Sequence, residues 1–157
     1  MTVWDIREDG RIISVTEELS AQAIYELGKE LDPFVIASGT RMGHVHLSVK
    51  NSQEASSFYQ ESLGLEDKFT IPQASWIASG DYHHHLAVNE WGGKNLSPRE
   101  HRMTGLAYYT VEVENKEELL KVFAQSQTSK AITQWLSSAE FSVTDKDGIV
   151  TRVRVGN

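Results

Sequence analysis

The stretch that decides the fold runs from Gly43 to Gln60 and reads GHVHLSVKNSQEASSFYQ. Its first half alternates polar and apolar residues, as a half-buried β-strand does, and its second half changes to the spacing of an amphipathic helix. The same layout returns in AYYTVEVENKEELLKVF, which starts at Ala107. In both copies an Asn with a Glu three residues later, at Asn51 and at Asn115, marks the start of the helix. The repeat predicts two copies of one supersecondary unit.

Three strand-like segments follow each helix. They cover 66–70, 74–79 and 82–89 in the first copy and 131–136, 140–144 and 149–155 in the second. Gly80-Asp81 and Asp147-Gly148 provide turns between the last two segments of each copy. Each copy therefore reads β-α-β-β-β, and the predicted fold class is α+β with paired βαβββ modules. One helix covers one face of each sheet, which leaves the other faces to curl around a shared cavity.

The first 41 residues differ from the repeat. Thr16 is placed to cap a short amphipathic helix that ends at Gly28, and Ser38-Gly39-Thr40 has linker chemistry. We therefore predict a connector-like segment with one helix over 1–41 and a single domain over 42–157. Its two modules are expected to cover about 42–96 and about 105–157.

Composition excludes several classes of protein. The chain of 157 residues has no cysteine, so a metal would have to be held by His, carboxylate or Tyr side chains. Its net charge of −7 disfavours a nucleic-acid partner. It has no apolar run near the roughly 18 residues that span a bilayer, and its first residues lack the pattern of a secretory signal. The expected location is the cytoplasm, and the expected partner is a small-molecule substrate.

Strand alternation assigns side chains to the cavity, because successive residues of a strand point to opposite faces. In the first module the residues expected to face the cavity are His44, His46, His83, His85 and Asn89. The same rule sends His84 to the helix side together with Leu86. In the second module, Tyr108 corresponds to His44, and Arg152 is expected to point inward.

Each of these residues has a chemical and a structural interpretation. Converging imidazoles are good ligands for Zn, Fe, Mn or Ni, but they also form hydrogen-bonded patches without an ion. Tyr108 is either a phenolate ligand or proton donor, or a half-buried aromatic residue whose hydroxyl finds a partner at the cavity rim. Arg152 either binds an anionic substrate or is solvated near the C-terminus. Trp91 either walls the cavity or packs beside Gly92-Gly93.

Two stretches, GHVHLSVKNSQEASSFYQESLGL from Gly43 and GDYHHHLAVNEWGG from Gly80, resemble the vicinal-oxygen-chelate superfamily. That superfamily contains glyoxalase I, bleomycin and fosfomycin resistance proteins, and extradiol ring-cleaving dioxygenases such as the dihydroxybiphenyl dioxygenases. The similarity covers about Met42 to Val155 and is greatest to the C-terminal half of bacterial two-domain proteins like catechol-2,3-dioxygenase. The leading segment resembles the connector of such proteins. The resemblance implies either a fragment with a missing N-terminal sister domain or a single-domain relative. The amphipathic helix of the leading segment needs a partner surface, which predicts docking on another subunit, as in a homodimer.

The resemblance also implies roles for individual residues. His44 matches the first metal ligand of the extradiol enzymes, and His85 matches their acid–base His or a metal-binding Glu of glyoxalase I. The second extradiol His ligand is Tyr108 in this chain, and the terminal Glu ligand is Arg152 in DKDGIVTR. The expected set of two His and one carboxylate therefore cannot form at the usual positions.

Two functions stay open from the sequence. The first is a metal-dependent enzyme, either a ring-cleaving dioxygenase or a glyoxalase-type lyase, that binds an oxygen-chelating, catechol-like substrate. In it His44 and His85 would bind the ion, and His85 and Tyr108 would be catalytic. The residues expected to bind substrate are His46, His83, Asn89, Trp91 and Arg152. The alternative is a non-catalytic binding module, like a resistance protein or the degenerate half of a two-domain dioxygenase.

Overall fold

The computed structural model describes residues 6–12, 18–28, 35–93, 95–97, 100 and 102–156. Three helices lie within this part of the chain: α1 (Ala21–Leu27), α2 (Ser52–Leu63) and α3 (Lys116–Thr128). The strands of the first module are β1 (Val45–Ser48), β2 (Glu66–Ile71), β3 (Ala74–Ala78) and β4 (Leu86–Asn89). Those of the second are β5 (Tyr109–Val113), β6 (Ile132–Ser137), β7 (Glu140–Thr144) and β8 (Val150–Val155).

The two modules have the same topology. The first sheet has the order β1-β4-β3-β2 and the second the order β5-β8-β7-β6. β1 pairs with β4, and β5 with β8, in parallel, and the remaining pairs are antiparallel. The βαβββ repeat and the α+β class predicted from the sequence are therefore confirmed.

Both module helices begin at the predicted asparagines. The side chain of Asn51 accepts hydrogen bonds from the amides of Gln53 and Glu54, and that of Asn115 accepts one from the amide of Glu118. These bonds satisfy amides that a helix N-terminus otherwise leaves without partners. Each helix covers one face of its own sheet, and the shared core includes Tyr59, Leu63, Leu119, Phe141 and Val153.

The modules also contact each other. Helices α2 and α3 pack together, and the Gln125 side chain donates to the backbone carbonyl of Gln60 at 3.3 Å. The Tyr59 hydroxyl of α2 donates to Oδ2 of Asp145, which follows β7, at 2.7 Å. Both side chains are buried. A buried polar contact therefore crosses the junction of the modules.

Two predicted boundaries differ from the structure by more than one residue. Strand β4 begins at Leu86, not at Tyr82, because the chain from 79 to 85 forms turns and bends instead of continuous sheet pairing. Helix α1 begins after Ser20, whose hydroxyl accepts from the Ala23 amide, and the predicted cap Thr16 lies outside the described residues. No helix within the described ranges is long and apolar enough to cross a membrane.

Candidate metal centre

Three imidazole rings meet at one end of the first sheet. His44, His83 and His84 each offer a ring nitrogen, and these atoms all lie within 4.8 Å of one another. The ring centroid of His84 is 4.3 Å from that of His44 and 4.2 Å from that of His83. These three side chains could hold a metal ion.

The topology explains the convergence. Strands β1 and β4 are parallel neighbours with Val45 opposite Leu86, so the residues just before them lie at the same end of the sheet. His44 immediately precedes β1, whereas His83 and His84 come from the turn that leads into β4. His46 lies within β1, two residues after His44, and its Nε2 is 3.3 Å from Nε2 of His84.

The local environment disfavours protonated imidazole. Partial burial, reinforced by the neighbouring histidines, lowers the pKa of His84 to about 3. Burial also lowers the pKa of His83, with smaller contributions from His44 and His85, and the pKa of His46, with a contribution from His44. Neutral imidazole is the form that binds metal ions, so the lowered pKa values of His46, His83 and His84 favour the ligand form of these three side chains.

The structure corrects the predicted position of His84 and separates two other histidines. His84 was expected on the helix side with Leu86, but it lies among the clustered histidines because the alternation of β4 does not extend to the turn that precedes it. His85 takes a different direction. Its ring lies 4.7 Å from that of Tyr82, and its Nδ1 accepts a hydrogen bond from the Ser79 amide. The ring nitrogens that converge with His44 are those of His83 and His84, not that of His85.

Trp91 and Asn89 flank the cluster in different ways. The Trp91 ring is 64% exposed and its centroid lies 6.2 Å from that of His46. Asn89 is buried, and its side-chain oxygen accepts from the Trp91 amide at 3.2 Å. Trp91 is therefore accessible to a ligand beside the histidines, whereas Asn89 holds the turn that carries Trp91.

Tyr108 and Arg152 meet in the second module. The Arg152 guanidinium lies 3.7 Å above the centre of the Tyr108 ring, which is a cation–π contact. One of its nitrogens also lies 3.5 Å from the Glu140 carboxylate. The structure thus brings these two predicted residues together, with Glu140 as a partner that the sequence analysis did not name.

Comparisons with known proteins agree with the topology. Residues 41–153 match the model of the Glyoxalase/Bleomycin resistance protein/Dioxygenase superfamily. The chain belongs to this superfamily. It is 30% identical over 120 residues to the catechol-2,3-dioxygenase of Bacillus subtilis (strain 168), a match that covers 75% of this chain but 42% of the relative. The chain therefore matches less than half of that protein's length.

Two solved structures of the superfamily share the fold. A glyoxylase/bleomycin resistance protein/dioxygenase domain from Frankia sp. EAN1pec has a TM-score of 0.58 at 19% identity, over 76% of this chain and 100% of that one. The fosfomycin resistance protein FosX from Listeria monocytogenes, complexed with Mn(II) and a sulfate ion, has a TM-score of 0.52 at 12% identity, over 78% and 93% of the two chains. At these identities the likeness concerns the fold alone.

Three apolar residues near the histidines were not predicted from the sequence. Ile12, Phe69 and Trp76 line a small void together with His83 and His84. The pairing of Phe69 with Trp76, and of Trp76 with Ala87, puts these residues in one row across the sheet with His46. Alternation in β2 and β3 could have found the two aromatic residues. Nothing in the local sequence of Ile12 indicates its position.

A cleft larger than this void lies elsewhere in this superfamily member. It has a volume of about 550 Å³ and is lined by residues from the start of α2 and from the turn after β7, among them Glu54, Phe58, Asp145 and Lys146. Lys146 pairs with Glu54 across it at 3.1 Å. The histidines are nonetheless the candidate metal centre, because their ring nitrogens converge and no comparable set of ligands is found within the described ranges.

Proposed function

We propose that this chain is a metal-dependent member of its superfamily that binds a divalent ion through His44, His83 and His84. The observation that supports this most directly is the convergence of three ring nitrogens within 4.8 Å. Imidazole donors suit Fe, Mn, Zn and Ni, and three protein ligands leave coordination positions for a small molecule. The ligand we propose is a small compound with two adjacent oxygens, such as a catechol.

A bound divalent ion would act as a Lewis acid on the oxygens of such a ligand. The side chains around it have separate tasks. The exposed face of Trp91 offers an aromatic wall beside His46. The Nδ1 atom of His85 accepts from the Ser79 amide, so the proton of its neutral ring lies on Nε2. His85 is therefore held as a proton donor through Nε2, in the acid–base role proposed for it together with Tyr108.

Named relatives support the class of ligand. The Bacillus subtilis relative is a catechol-2,3-dioxygenase, and the FosX structure was obtained with Mn(II). We extend a ring-cleaving dioxygenase or a glyoxalase-type lyase reaction to this chain only as a proposal, since the match covers 42% of the dioxygenase. Arg152, stacked on Tyr108, is the proposed contact for a negatively charged substituent on the substrate.

The decisive experiment compares two adjacent histidines. Untagged protein is titrated with Zn²⁺ and with Mn²⁺ by calorimetry, and one ion is expected to bind per chain. His84→Ala should weaken binding by about 100-fold, because it removes a ligand, whereas His85→Ala should change it by less than about 3-fold. A larger loss in His85→Ala than in His84→Ala would favour the pairing of His44 with His85 and contradict the proposed set. Binding that survives a combined His44→Ala and His84→Ala substitution would refute the proposed site.

A second candidate is a non-catalytic binding module. It is favoured by the presence of Tyr108 and Arg152 where the superfamily resemblance expects a His and a Glu ligand. This function predicts that catechol raises the melting temperature equally with and without EDTA. Turnover of a catechol that EDTA abolishes and added metal restores would eliminate it.

The connector-like segment 1–41 is proposed to contact another subunit or a sister domain. In the described part of this segment, Leu19, Ile24 and Tyr25 are 75%, 50% and 82% exposed, respectively. Helix α1 and the preceding Leu19 therefore present apolar side chains that a partner could cover. Sedimentation analysis over a wide concentration range tests this, and a monomer at all concentrations would count against a homodimer. The cytoplasmic location also stays a proposal.

A further inference from the structure

Ile12 is buried in a segment that is otherwise exposed. Its side chain is 3% exposed, whereas residues 6–11 are all exposed. The residues that cover it belong to the domain: Phe69 and Trp76 of the first sheet, and His83 and His84 of the candidate metal centre. One residue of the leading segment thus reaches the histidines from a distant part of the chain.

A small hairpin holds Ile12 in this position. Ile6 and Ile12 form an antiparallel bridge, and the Arg7 amide donates to the Arg11 carbonyl at 2.8 Å. The Ile12 amide then donates to the carbonyl of Lys68 at 3.3 Å. Lys68 lies where the register of β2 shifts, and β2 is an edge strand of the first sheet. The edge therefore supplies the backbone acceptor to which the hairpin is attached.

Ile12 leaves almost no room on this side of the cluster. The void that remains between it, the two aromatic rings and the two histidines is about 10 Å³. A site that holds one water needs about 10–15 Å³ by this measure. A ligand at the histidines therefore has space on the side of Trp91 and His44, which are exposed, but not on the side of Trp76.

We propose that the hairpin 6–12 forms a wall of the metal centre and that Ile12 determines which ligands fit there. With Ile12 in place, a bound ring is confined to the Trp91 side, and a bulky substituent that points toward Phe69 and Trp76 is excluded. A smaller residue at position 12 opens an aromatic-lined pocket next to His84. This inference rests on the proposed function for its ligand, but the closure by Ile12 is testable without any metal.

The metal-independent test measures access to the histidines. Apo-protein is treated with diethyl pyrocarbonate, which modifies neutral imidazole, and each His is followed by peptide mass spectrometry. Ile12→Ala should raise the modification rates of His83 and His84 about 10-fold, which is the change expected when exposing these two rings costs about 1.4 kcal/mol less. The modification rate of exposed His44 should stay unchanged. Ile12→Leu should restore the slow rates. Ile71→Ala, on the same edge strand, is the matched control and should behave as wild type.

Rates at His83 and His84 that stay at the wild-type level in folded Ile12→Ala would overturn the proposal. In that case Ile12 would only anchor the leading segment, and the variant would lose stability without gaining access. The Ile12→Leu variant controls for a general loss of rigidity in Ile12→Ala. Leucine, which is an isomer of isoleucine, still fills the void and should keep the modification rates of His83 and His84 low.

The metal-dependent test measures ligand size. Co²⁺-loaded protein is titrated with catechol and with 4-tert-butylcatechol, and binding is followed by absorbance. Ile12→Ala should improve the affinity for the bulky catechol about 10-fold relative to catechol, through burial of the added methyl groups. An unchanged ratio would overturn the assignment of Ile12 as a specificity residue. If Co²⁺ does not bind at all, the proposed function fails, whereas the modification rates still decide whether Ile12 closes the cluster.

Discussion

At the scale of single residues, Trp91 is a built-in reporter of the candidate metal centre. Its ring lies 6.2 Å from that of His46, and Trp76 lines the void beside His84, whereas Trp135 packs against Phe123 in the second module. Cu²⁺ bound at the histidines should quench the fluorescence of the two nearby indoles. Trp91→Phe should therefore reduce the quenched amplitude, and Trp135→Phe should leave it unchanged. A quench that depends on Trp135 instead would place the ion elsewhere.

The residues of this centre were partly predictable from the sequence. Placement of His44 on the cavity side rests on strand periodicity, and its ring does meet other imidazoles. The same rule failed for His84, because periodicity carries information only where sheet pairing continues, and β4 starts two residues later. Ile12 was not predictable from its surroundings, since its burial depends on an edge strand far along the chain.

At the scale of elements, the residues that follow α2 and α3 differ in how well they suit the left-handed backbone conformation found there. Helix α2 is followed by Gly64 with a φ of 72°, a conformation that glycine adopts without steric cost. The chain after α3 needs the same left-handed conformation at Lys130, which has a φ of 58°. The Ala131 amide donates to the Ser126 carbonyl across this turn, so the geometry is fixed by hydrogen bonding. The start of each helix was predictable from its asparagine, but the strained end of α3 was not.

Lys130→Gly should therefore stabilise the protein. Relief of the left-handed strain is worth about 1–2 kcal/mol, and the greater freedom of glycine in the unfolded chain offsets about 0.5–1 kcal/mol of it. The expected gain is up to about 1 kcal/mol in the free energy of unfolding, measured with urea. Lys130→Ala is the matched control and should give no gain. An equal gain in both variants would show that removal of the lysine charge, not the backbone, is responsible.

At the scale of the whole molecule, the repeat predicted the topology but not how the modules join. Each module carries its own periodicity, so the strand order and the helix face follow from local sequence. The junction depends on contacts between distant residues, such as Lys50, whose amide donates to Asp147, and Tyr59, whose hydroxyl donates to Asp145. No local sequence pattern predicts such pairs. For the same reason the position of the 550 Å³ cleft could not be predicted.

The buried tyrosines of this junction should make the protein sensitive to alkali. Burial, together with the nearby Tyr109 and Asp145, raises the pKa of Tyr59 above its ordinary value of 10, and burial also raises the pKa of Tyr109. Above pH 10 the unfolded chain therefore releases protons that the folded protein retains, so the free energy of unfolding falls as the pH rises. Each tyrosine should contribute a slope of about 1.4 kcal/mol per pH unit.

Urea unfolding between pH 8 and 11, followed by circular dichroism, measures this slope. Tyr59→Phe should remove about half of the slope that the two tyrosines contribute. It should also lower the free energy of unfolding at pH 8 by about 1–3 kcal/mol, because Oδ2 of buried Asp145 loses its hydrogen-bond donor. Tyr25→Phe is the matched control, since Tyr25 is 82% exposed on α1 and its removal should leave the slope as it is. If Tyr59→Phe keeps the full slope, the hydroxyl of Tyr59 ionises freely in the folded protein, and the two modules do not bury it between them.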